Sequence, residues 1–355
     1  MKVVKLGLII SRIDGGGREK RAVNLSLELA SLSNFDIFLV TTDHRILDKI
    51  EFFESSGIRI FYVKKWASIK FFKCIFSQGR CILHTWGFIE TFYSLIFKIF
   101  NYKIVNSAIT GHSNGFNFSF IENQFWSFIL NLTDFTFSNS QFCLESFSIK
   151  NNYKIIFNPV LPNKLDINLA SIAYKFGFNL NKRHVLMVAN YKKGKLFHKA
   201  IDLLNVIEKK LTDVVFVFVG DNVRLNLIQY SKNRDNLILL DKLGNNDILE
   251  LQHFSDVGLL ISDFEGQSNS ILEFMATSKP VVVVEGGGMK GLLQNYYNSI
   301  YYNEFNIDVI SSDLINILED NFFCKVISNN GYKTVINFCN ANYITNEYID
   351  IYHSL

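Results

Sequence analysis

The stretch that decides the fold is the first one, residues 2–32, which reads KVVKLGLIISRIDGGGREKRAVNLSLELASL. Its apolar opening is typical of a buried parallel strand, and Gly15, Gly16 and Gly17 predict a turn. A helix is predicted after the turn because apolar residues recur there at helical spacing, at Ala22, Leu25, Leu29 and Leu32. A strand followed by a turn and a helix is the repeating unit of a parallel α/β sheet.

The same alternation continues along the chain. Strand-like segments in the first half are FDIFLVTT, IRIFYV, RCILHTW, KIVNSAIT and DFTFSNS. The segment FNPVLPNK predicts a linker, and HVLMVAN, VVFVFVGD, NLILLDKLG, VGLLIS and PVVVVEGGG then repeat the pattern. We therefore predict an α/β protein with two doubly wound, Rossmann-like domains, residues 1–160 and 165–335, facing each other across a cleft. The C-terminal helix, about residues 336–355, is expected to pack back on the first domain.

Composition limits the class of protein. The 355 residues are 48% hydrophobic, which is enough for two cores and excludes a disordered chain. The formal net charge of +3 is too small to indicate nucleic acid as a partner. Five cysteines without C-x-x-C spacing predict reduced thiols, with neither a disulfide framework nor a zinc site. The first apolar run lacks the features of a signal peptide, and no uncharged run reaches transmembrane length, so a cytoplasmic protein is expected.

The first domain offers a glycine turn and two histidines at predicted strand ends. The turn at residues 15–17 either brings backbone amides to a phosphate or is only a tight turn. Because it is not G-x-G-x-x-G, a nicotinamide cofactor is disfavoured. His84 and His112 can each bond a sugar hydroxyl or a phosphate oxygen, and the alternative for each is a loop histidine satisfied by backbone.

The second domain offers a basic loop and two acids. One of the lysines of ANYKKGKLFH either neutralises a diphosphate or belongs to a solvated loop; they are Lys192, Lys193 and Lys195. In EGQSNSILE, Glu265 is predicted to precede a helix and Glu273 to lie within it, with Ser268 or Asn269 as the cap. The two acids either grip hydroxyls beside a phosphate or only stabilise the helix dipole, worth ~0.3–1 kcal/mol each. Gly286, Gly287 and Gly288 predict a further loop of backbone donors.

The segment SDFEGQSNSILEFMATSKPVVVVEGGG (residues 262–288) resembles the signature of the retaining GT-B glycosyltransferases of family 4, with its two acids separated by seven residues. IDGGGREKRAVNLSLELASL, ILHTWG, ITGHSN, IIFNPV and VFVFVGD are similar to other landmarks of that family, in the same order. The resemblance implies an acceptor-binding first domain, a donor-binding second domain and no need for a metal or other cofactor.

The resemblance also implies roles for single residues. Glu273 would hold the nucleotide ribose, Glu265 the donor sugar and Lys195 the diphosphate, while His112 would lie at the reacting centre. Gly16 and Gly17 would approach the diphosphate from the first domain. Together with the residue patterns above, this predicts further positions on the donor side, Asn190, Ser268, Asn269, Gly287 and Gly288, and His84 on the acceptor side. Two positions depart from the family pattern. Asn190 stands where an arginine is common, and Lys290–Gly291 stand where a glutamate is common.

These features predict a hexosyltransferase that uses a UDP- or GDP-linked sugar and a glycan or lipid-linked acceptor of a bacterial capsule, O-antigen or exopolysaccharide. Two alternatives stay open, a non-catalytic sugar-nucleotide-binding subunit and a sugar-nucleotide epimerase of the same fold.

Peripheral contact with an anionic membrane, at the inner face of the plasma membrane, is a separate hypothesis. It rests on KKWASIKFFKCIFSQGR (residues 64–80), in which Trp66, Phe71, Phe72 and Phe76 lie among basic residues. The alternative is an amphipathic helix that covers the first sheet with its basic face in water.

Overall fold

The computed structural model describes residues 3–13, 17–109, 118–160 and 168–355. The chain divides into two compact units. One consists of residues 1–159 together with 341–355, and the other of residues 160–340.

The first unit is built on a parallel sheet, which has seven strands in the described residues, in the order β3-β2-β1-β4-β5-β6-β7. The strands are β1 (Val4–Ile10), β2 (Phe35–Thr41), β3 (Arg59–Tyr62), β4 (Ile82–Thr85), β5 (Lys103–Asn106), β6 (Phe135–Ser138) and β7 (Tyr153–Ile155). The α-helices are α1 (Gly17–Ala30), α2 (Ile50–Ser55), α3 (Ile69–Ser77), α4 (Phe88–Ser94), α5 (Phe120–Asn131), α6 (Gln141–Ser146) and the C-terminal α14 (Ala341–Ser354). The described residues of this unit also form two 3-10 helices, His44–Lys49 and Leu95–Phe100.

Both faces of this sheet are buried, which explains why its central strand β1 ends in a continuous apolar run. Leu6, Leu8 and Ile10 of β1 pack in one core with α1 and with the C-terminal helix α14. Ile9 belongs to the core on the other face, with residues of α3, because successive side chains of a strand point to opposite faces.

The second unit is built on a parallel sheet with the order β10-β9-β8-β11-β12-β13. Its strands are β8 (Arg183–Val188), β9 (Val214–Val219), β10 (Leu237–Leu240), β11 (Val257–Ile261), β12 (Val281–Val284) and β13 (Ile300–Tyr302). Its helices are α7 (Leu169–Phe176), α8 (Phe197–Ile207), α9 (Val223–Ser231), α10 (Asn245–Phe254), α11 (Asn269–Ala276), α12 (Ile307–Glu319) and α13 (Asn321–Phe338). The strand order reverses between β8 and β11, so the switch point of the sheet, where open α/β sheets bind ligands, lies between these two strands.

The predicted fold class is confirmed, since each unit is a parallel sheet wound in both directions with helices between its strands. The facing of the two domains across a cleft stays a prediction. Among the described residues, no helix is both long and apolar enough to span a membrane.

Candidate functional site

The loops that follow β8 and β11 are held together at the switch point of the second sheet. The amide of Leu196 donates to the carbonyl of Ile261 at 2.9 Å, and the amide of Asp263 donates to the carbonyl of Gly194 at 2.8 Å. Gly194 has φ +93°, in the left-handed region that glycine adopts without a steric penalty. The residues after both strands are therefore fixed against each other by backbone hydrogen bonds.

Lys195 and Glu265 form an ion pair at this point. The Nζ of Lys195 contacts the Oε1 of Glu265, and the side chains are only 10% and 17% exposed. The hydroxyl of Ser262 lies 3.2 Å from the same carboxylate oxygen, and its shortest hydrogen bond goes to the carbonyl of Gly194 at 2.9 Å. Two residues predicted to contact different parts of one donor are therefore brought together, while Ser262 was not predicted.

Burial lowers the pKa of Lys195 to about 7, and the positive charge of Lys192 acts in the same direction. The carboxylate of Glu285 acts in the opposite direction. The contact with Glu265 also favours the ammonium form, because an adjacent negative charge stabilises it. The positive charge of Lys195 is thus costly to maintain without a nearby anion.

Glu273 lies on α11, in the helix that follows Glu265. It is half-buried, and its Oε2 accepts a hydrogen bond from the side-chain amide of Gln252 on α10 at 3.3 Å. Ser268 is the N-cap residue, as predicted, but its side chain makes no capping bond and its hydroxyl lies 3.0 Å from the hydroxyl of Ser270. Asn269 is the first residue of the helix and is exposed.

Asn190 lies at the exit of β8 with an exposed side chain. Its Oδ1 accepts a hydrogen bond from the amide of Asp221, just after β9, at 3.0 Å. The position where the family commonly has an arginine thus holds a neutral side chain that links two strand exits.

The glycine loop after β12 is occupied by an acid of the chain itself. Glu285 is fully buried, and its Oε2 accepts hydrogen bonds from the amides of Gly287 and Gly288 at 3.0 and 2.8 Å. The prediction that Gly287 and Gly288 donate their amides to the sugar nucleotide is therefore wrong for the described structure. The Glu285 carboxylate takes the place predicted for an external anion.

The glycines of this loop are explained by steric constraints on the backbone. A Cβ at Gly286 would lie 2.6 Å from the carbonyl oxygen of Asp263, and one at Gly288 would overlap the carbonyl of Glu265. Glycine is needed because two backbone segments pack directly against each other.

His84 needs a correction too. Its ring is fully buried on β4, with Nδ1 2.6 Å from the Tyr352 hydroxyl and Nε2 2.7 Å from the Ser107 hydroxyl. Burial, helped by the charge of Arg21, holds the pKa of His84 well below its usual range. A neutral histidine with both nitrogens engaged has a structural role, and it is not exposed to an acceptor.

The other predicted site residues of the first unit are Gly16, Gly17 and His112. Gly16 and His112 lie outside the described residues, and Gly17 is the first residue of α1. The first unit also contains a buried acid that the sequence did not single out. Glu90 of α4 is 3% exposed and accepts a hydrogen bond from Ser11, which directly follows β1.

Residues 64–80, the segment considered for membrane contact, fit the alternative of an amphipathic helix that covers the first sheet. Trp66 and Phe71 are 7% and 0% exposed and belong to the core of the first unit. Lys70 and Lys73 of α3 are exposed. The helix therefore covers the sheet with its aromatic side and presents its basic side to solvent.

Comparison with known proteins places the second unit beside a known family. The model of the family described as glycosyl transferases group 1 matches residues 171–334. The match spans just under half of the chain and most of the second unit. The matched residues include β8, α11 and the loops that carry Lys195 and Glu265.

Relatives of the chain carry glycosyltransferase names. An uncharacterized glycosyltransferase of Methanocaldococcus jannaschii is 26% identical over 212 residues, which cover 56% of this chain and 53% of the relative. The UDP-Gal:alpha-D-GlcNAc-diphosphoundecaprenol alpha-1,3-galactosyltransferase of Escherichia coli is 29% identical over 153 residues, covering 41% of this chain and 39% of that one. The chain thus spans about half of the length of these relatives or less.

Solved structures share the fold over the whole chain. The Anabaena protein HepE in complex with UDP has a TM-score of 0.83 at 16% identity, with 100% of both chains covered. A glycosyltransferase from Rickettsia africae has a TM-score of 0.81 at 17% identity, with 100% of this chain and 99% of that one covered. The two-unit architecture is therefore that of the GT-B glycosyltransferases.

Proposed function

We propose that the protein is a retaining glycosyltransferase that moves a hexosyl group from a nucleotide-diphosphate sugar to a glycan or lipid-linked acceptor. The observation that supports this most is the meeting of Lys195 and Glu265 at the switch point of the second sheet. A buried ammonium suits a diphosphate, and a carboxylate beside it suits the hydroxyls of a sugar.

The proposed reaction needs no protein nucleophile. The bond between the anomeric carbon and the diphosphate oxygen breaks, and the acceptor oxygen bonds to the same face of the sugar. The acceptor proton passes to the leaving diphosphate. Lys195 and the N-terminal end of α11 stabilise the charge that develops on that group. Glu273 holds the ribose and Glu265 the sugar, and the role that the resemblance implies for His112 stays a prediction.

The names of similar proteins guide the choice of substrates to test. HepE was solved with UDP-glucose as well as with UDP, so UDP-linked hexoses come before GDP-linked ones. The E. coli relative is named for transfer to a sugar on diphosphoundecaprenol, which supports a lipid-linked acceptor of a surface polysaccharide.

A thermal-shift screen of nucleotide sugars tests the donor site. One nucleotide sugar is expected to stabilise the wild type, by about 2.7 kcal/mol at a hundredfold excess over its Kd. Glu273→Ala should lose this stabilisation. Glu319→Ala, an exposed acid at the end of α12, should keep it and serves as the matched control. Equal stabilisation of Glu273→Ala and the wild type would contradict the assignment.

Product analysis separates the proposed reaction from its two alternatives. Transfer to a lipid-linked acceptor with retention of the anomeric configuration is expected. Binding of the donor without turnover on any acceptor would indicate a non-catalytic subunit. Conversion of the donor into a different nucleotide sugar, without an acceptor, would indicate an epimerase.

The proposal also places the protein against the anionic inner face of the plasma membrane, through the exposed apolar surface of α4, α5 and the 3-10 helix Leu95–Phe100. The Phe92 and Phe125 rings, 6.0 Å apart, join α4 to α5, and the Phe76 and Phe100 rings, 5.0 Å apart, join α3 to the 3-10 helix. The exposed side chains of this apolar surface include Ile89, Ile96, Ile99, Phe120, Ile121 and Phe128. Because the adjacent α3 presents exposed lysines, an anionic bilayer is the occupant that complements both the apolar and the basic parts.

Vesicle sedimentation tests this surface. Wild-type protein should bind phosphatidylcholine vesicles that contain phosphatidylglycerol, and salt should weaken the binding. Phe125→Ser combined with Phe128→Ser should lose it, whereas Phe322→Ser on α13, a side chain that is 79% exposed, should not. No binding by the wild type, or a stable dimer that buries this surface instead, would rule the membrane out as occupant.

A further inference from the structure

Glu285 is a fully buried acid to which the proposed reaction gives no role. Besides the amides of Gly287 and Gly288, its carboxylate accepts hydrogen bonds from the amide of Met289 at 2.9 Å and from the hydroxyl of Tyr301 at 2.8 Å. Burial and this negative charge raise the pKa of Tyr301, which keeps its hydroxyl a donor. Four donors from two segments thus converge on one carboxylate, which is close to its full capacity as an acceptor.

The loop that Glu285 holds lies directly against the loop that carries Glu265. At Gly286 and Gly288 no space is left for a Cβ beside the carbonyls of Asp263 and Glu265. Closely packed backbones move together, since neither segment has a flexible side chain between them that absorbs a shift. The position of the Glu265 backbone therefore depends on the conformation of residues 286–289.

We propose that Glu285 is a positioning residue that fixes the 286–289 loop and, through it, sets where Glu265 meets the donor sugar. This inference rests on the proposed donor site. The groups assigned to the nucleoside diphosphate lie on other elements, Lys195 after β8 and Glu273 on α11. Loss of Glu285 should consequently affect the sugar more than the nucleotide.

Glu285→Gln tests the proposal with little change in side-chain size. The glutamine amide places an N–H group among N–H donors, so the variant keeps at most part of the four bonds. With UDP-glucose, or the nucleotide sugar that stabilises the wild type most, the transfer rate should fall about 10- to 100-fold, as expected for a misplaced contact. The affinity for UDP alone should stay within about a factor of three when it is measured at pH 6, where Lys195 is largely charged and the lost carboxylate of Glu285 matters least for its ionisation.

Hydrogen exchange gives a readout that does not depend on activity. In Glu285→Gln, amide exchange should rise both in residues 286–289 and in residues 262–266, while α8 on the far side of Lys195 stays protected. If only residues 286–289 loosen and transfer is unchanged, the coupling to Glu265 is wrong. A purely structural role is indicated if UDP and UDP-glucose binding weaken equally.

Two further variants keep the test decisive if Glu285→Gln does not fold. Tyr301→Phe removes one of the four bonds and should give a smaller loss of transfer in the same direction. Gly288→Ala leaves Glu285 in place but pushes on the Glu265 carbonyl, so it should reproduce the loss of transfer with UDP affinity retained. Full transfer in both variants would overturn the proposal. Failure of the wild type to bind any nucleotide sugar would instead overturn the donor site itself.

Discussion

Each unit buries a polar cluster next to its central strands, and the two clusters differ in how their charges are compensated. In the first unit, His84 is neutral and both ring nitrogens have hydroxyl partners from the same unit. In the second, Lys195 is an almost buried cation whose contacts are Glu265 and other charged groups at a sheet switch point. Burial of a titratable side chain therefore does not by itself indicate function. What separates the two clusters is whether a ligand of opposite charge would lower the cost of burial.

The largest effect is expected from His84→Phe in the first cluster. The substitution leaves the hydroxyls of Tyr352 and Ser107 without their partner inside the protein, at about 1–3 kcal/mol for each buried group. We expect the free energy of unfolding to fall by about 2–4 kcal/mol in urea denaturation, while donor affinity stays unchanged. A loss of donor affinity in folded His84→Phe would contradict the structural role of the first cluster, because the cluster would then act on the ligand.

Adding Tyr352→Phe sharpens this result. The double variant removes both partners of one bond, so it should recover part of the stability that His84→Phe loses. Additive losses would mean that the 2.6 Å contact between His84 and Tyr352 contributes nothing of its own.

Lys195→Met is the corresponding change in the second cluster. Removing a charged partner of a phosphate costs about 1.5–3 kcal/mol, so donor affinity should fall about 10- to 100-fold in calorimetric titration. Lys192→Met, a change in the same loop at an exposed side chain, should cost much less. Equal losses in the two variants would show that the loop acts only through its net charge.

The pH dependence of stability is a smaller effect of the first cluster. The unfolded chain protonates His84 near pH 6.5, whereas the folded protein resists protonation because burial lowers the pKa. The unfolded state therefore binds the extra proton below that pH, and stability falls as the pH drops, by at most about 1.4 kcal/mol per pH unit for this group. His84→Phe should lack this contribution when unfolding is measured between pH 6.5 and 5. An unchanged slope would show that His84 is not the group responsible.

The sequence predicted the larger elements well because short apolar, β-branched runs that alternate with helical patterns are typical of buried parallel strands. It did not predict β7 and β13, which have three residues each and therefore no recognisable pattern. His84 was misassigned because its partner Tyr352 lies 268 positions away, so the local sequence of a strand end gave no sign that the ring was satisfied.

The residues of the candidate site were predictable from the sequence, but their arrangement was not. Lys195 and Glu265 stand out as charged residues after strands, but only the strand order brings β8 and β11 side by side. The glycine run after β12 was assigned to an external anion, although VVVVEGGG contains an acid directly before the glycines. A carboxylate at that position is a local anion for the amides of the turn, and this signal was available in the sequence.

The smallest expected effect is the uptake of protons on donor binding. It follows from the pKa of Lys195, which is about 7 in the ligand-free protein. A lysine in the unfolded chain binds its proton up to about pH 10.4, so between pH 10.4 and 7 this group lowers stability as the pH falls. A bound diphosphate favours the ammonium form and raises the pKa again. Donor binding at pH 8.5 should therefore take up as much as one proton, and binding at pH 6 almost none. Calorimetric titration in two buffers of different ionisation enthalpy measures this uptake, and Lys195→Met should abolish it. No uptake by the wild type at pH 8.5 would mean that Glu265 alone keeps Lys195 charged, and the second cluster would then be as self-compensated as the first.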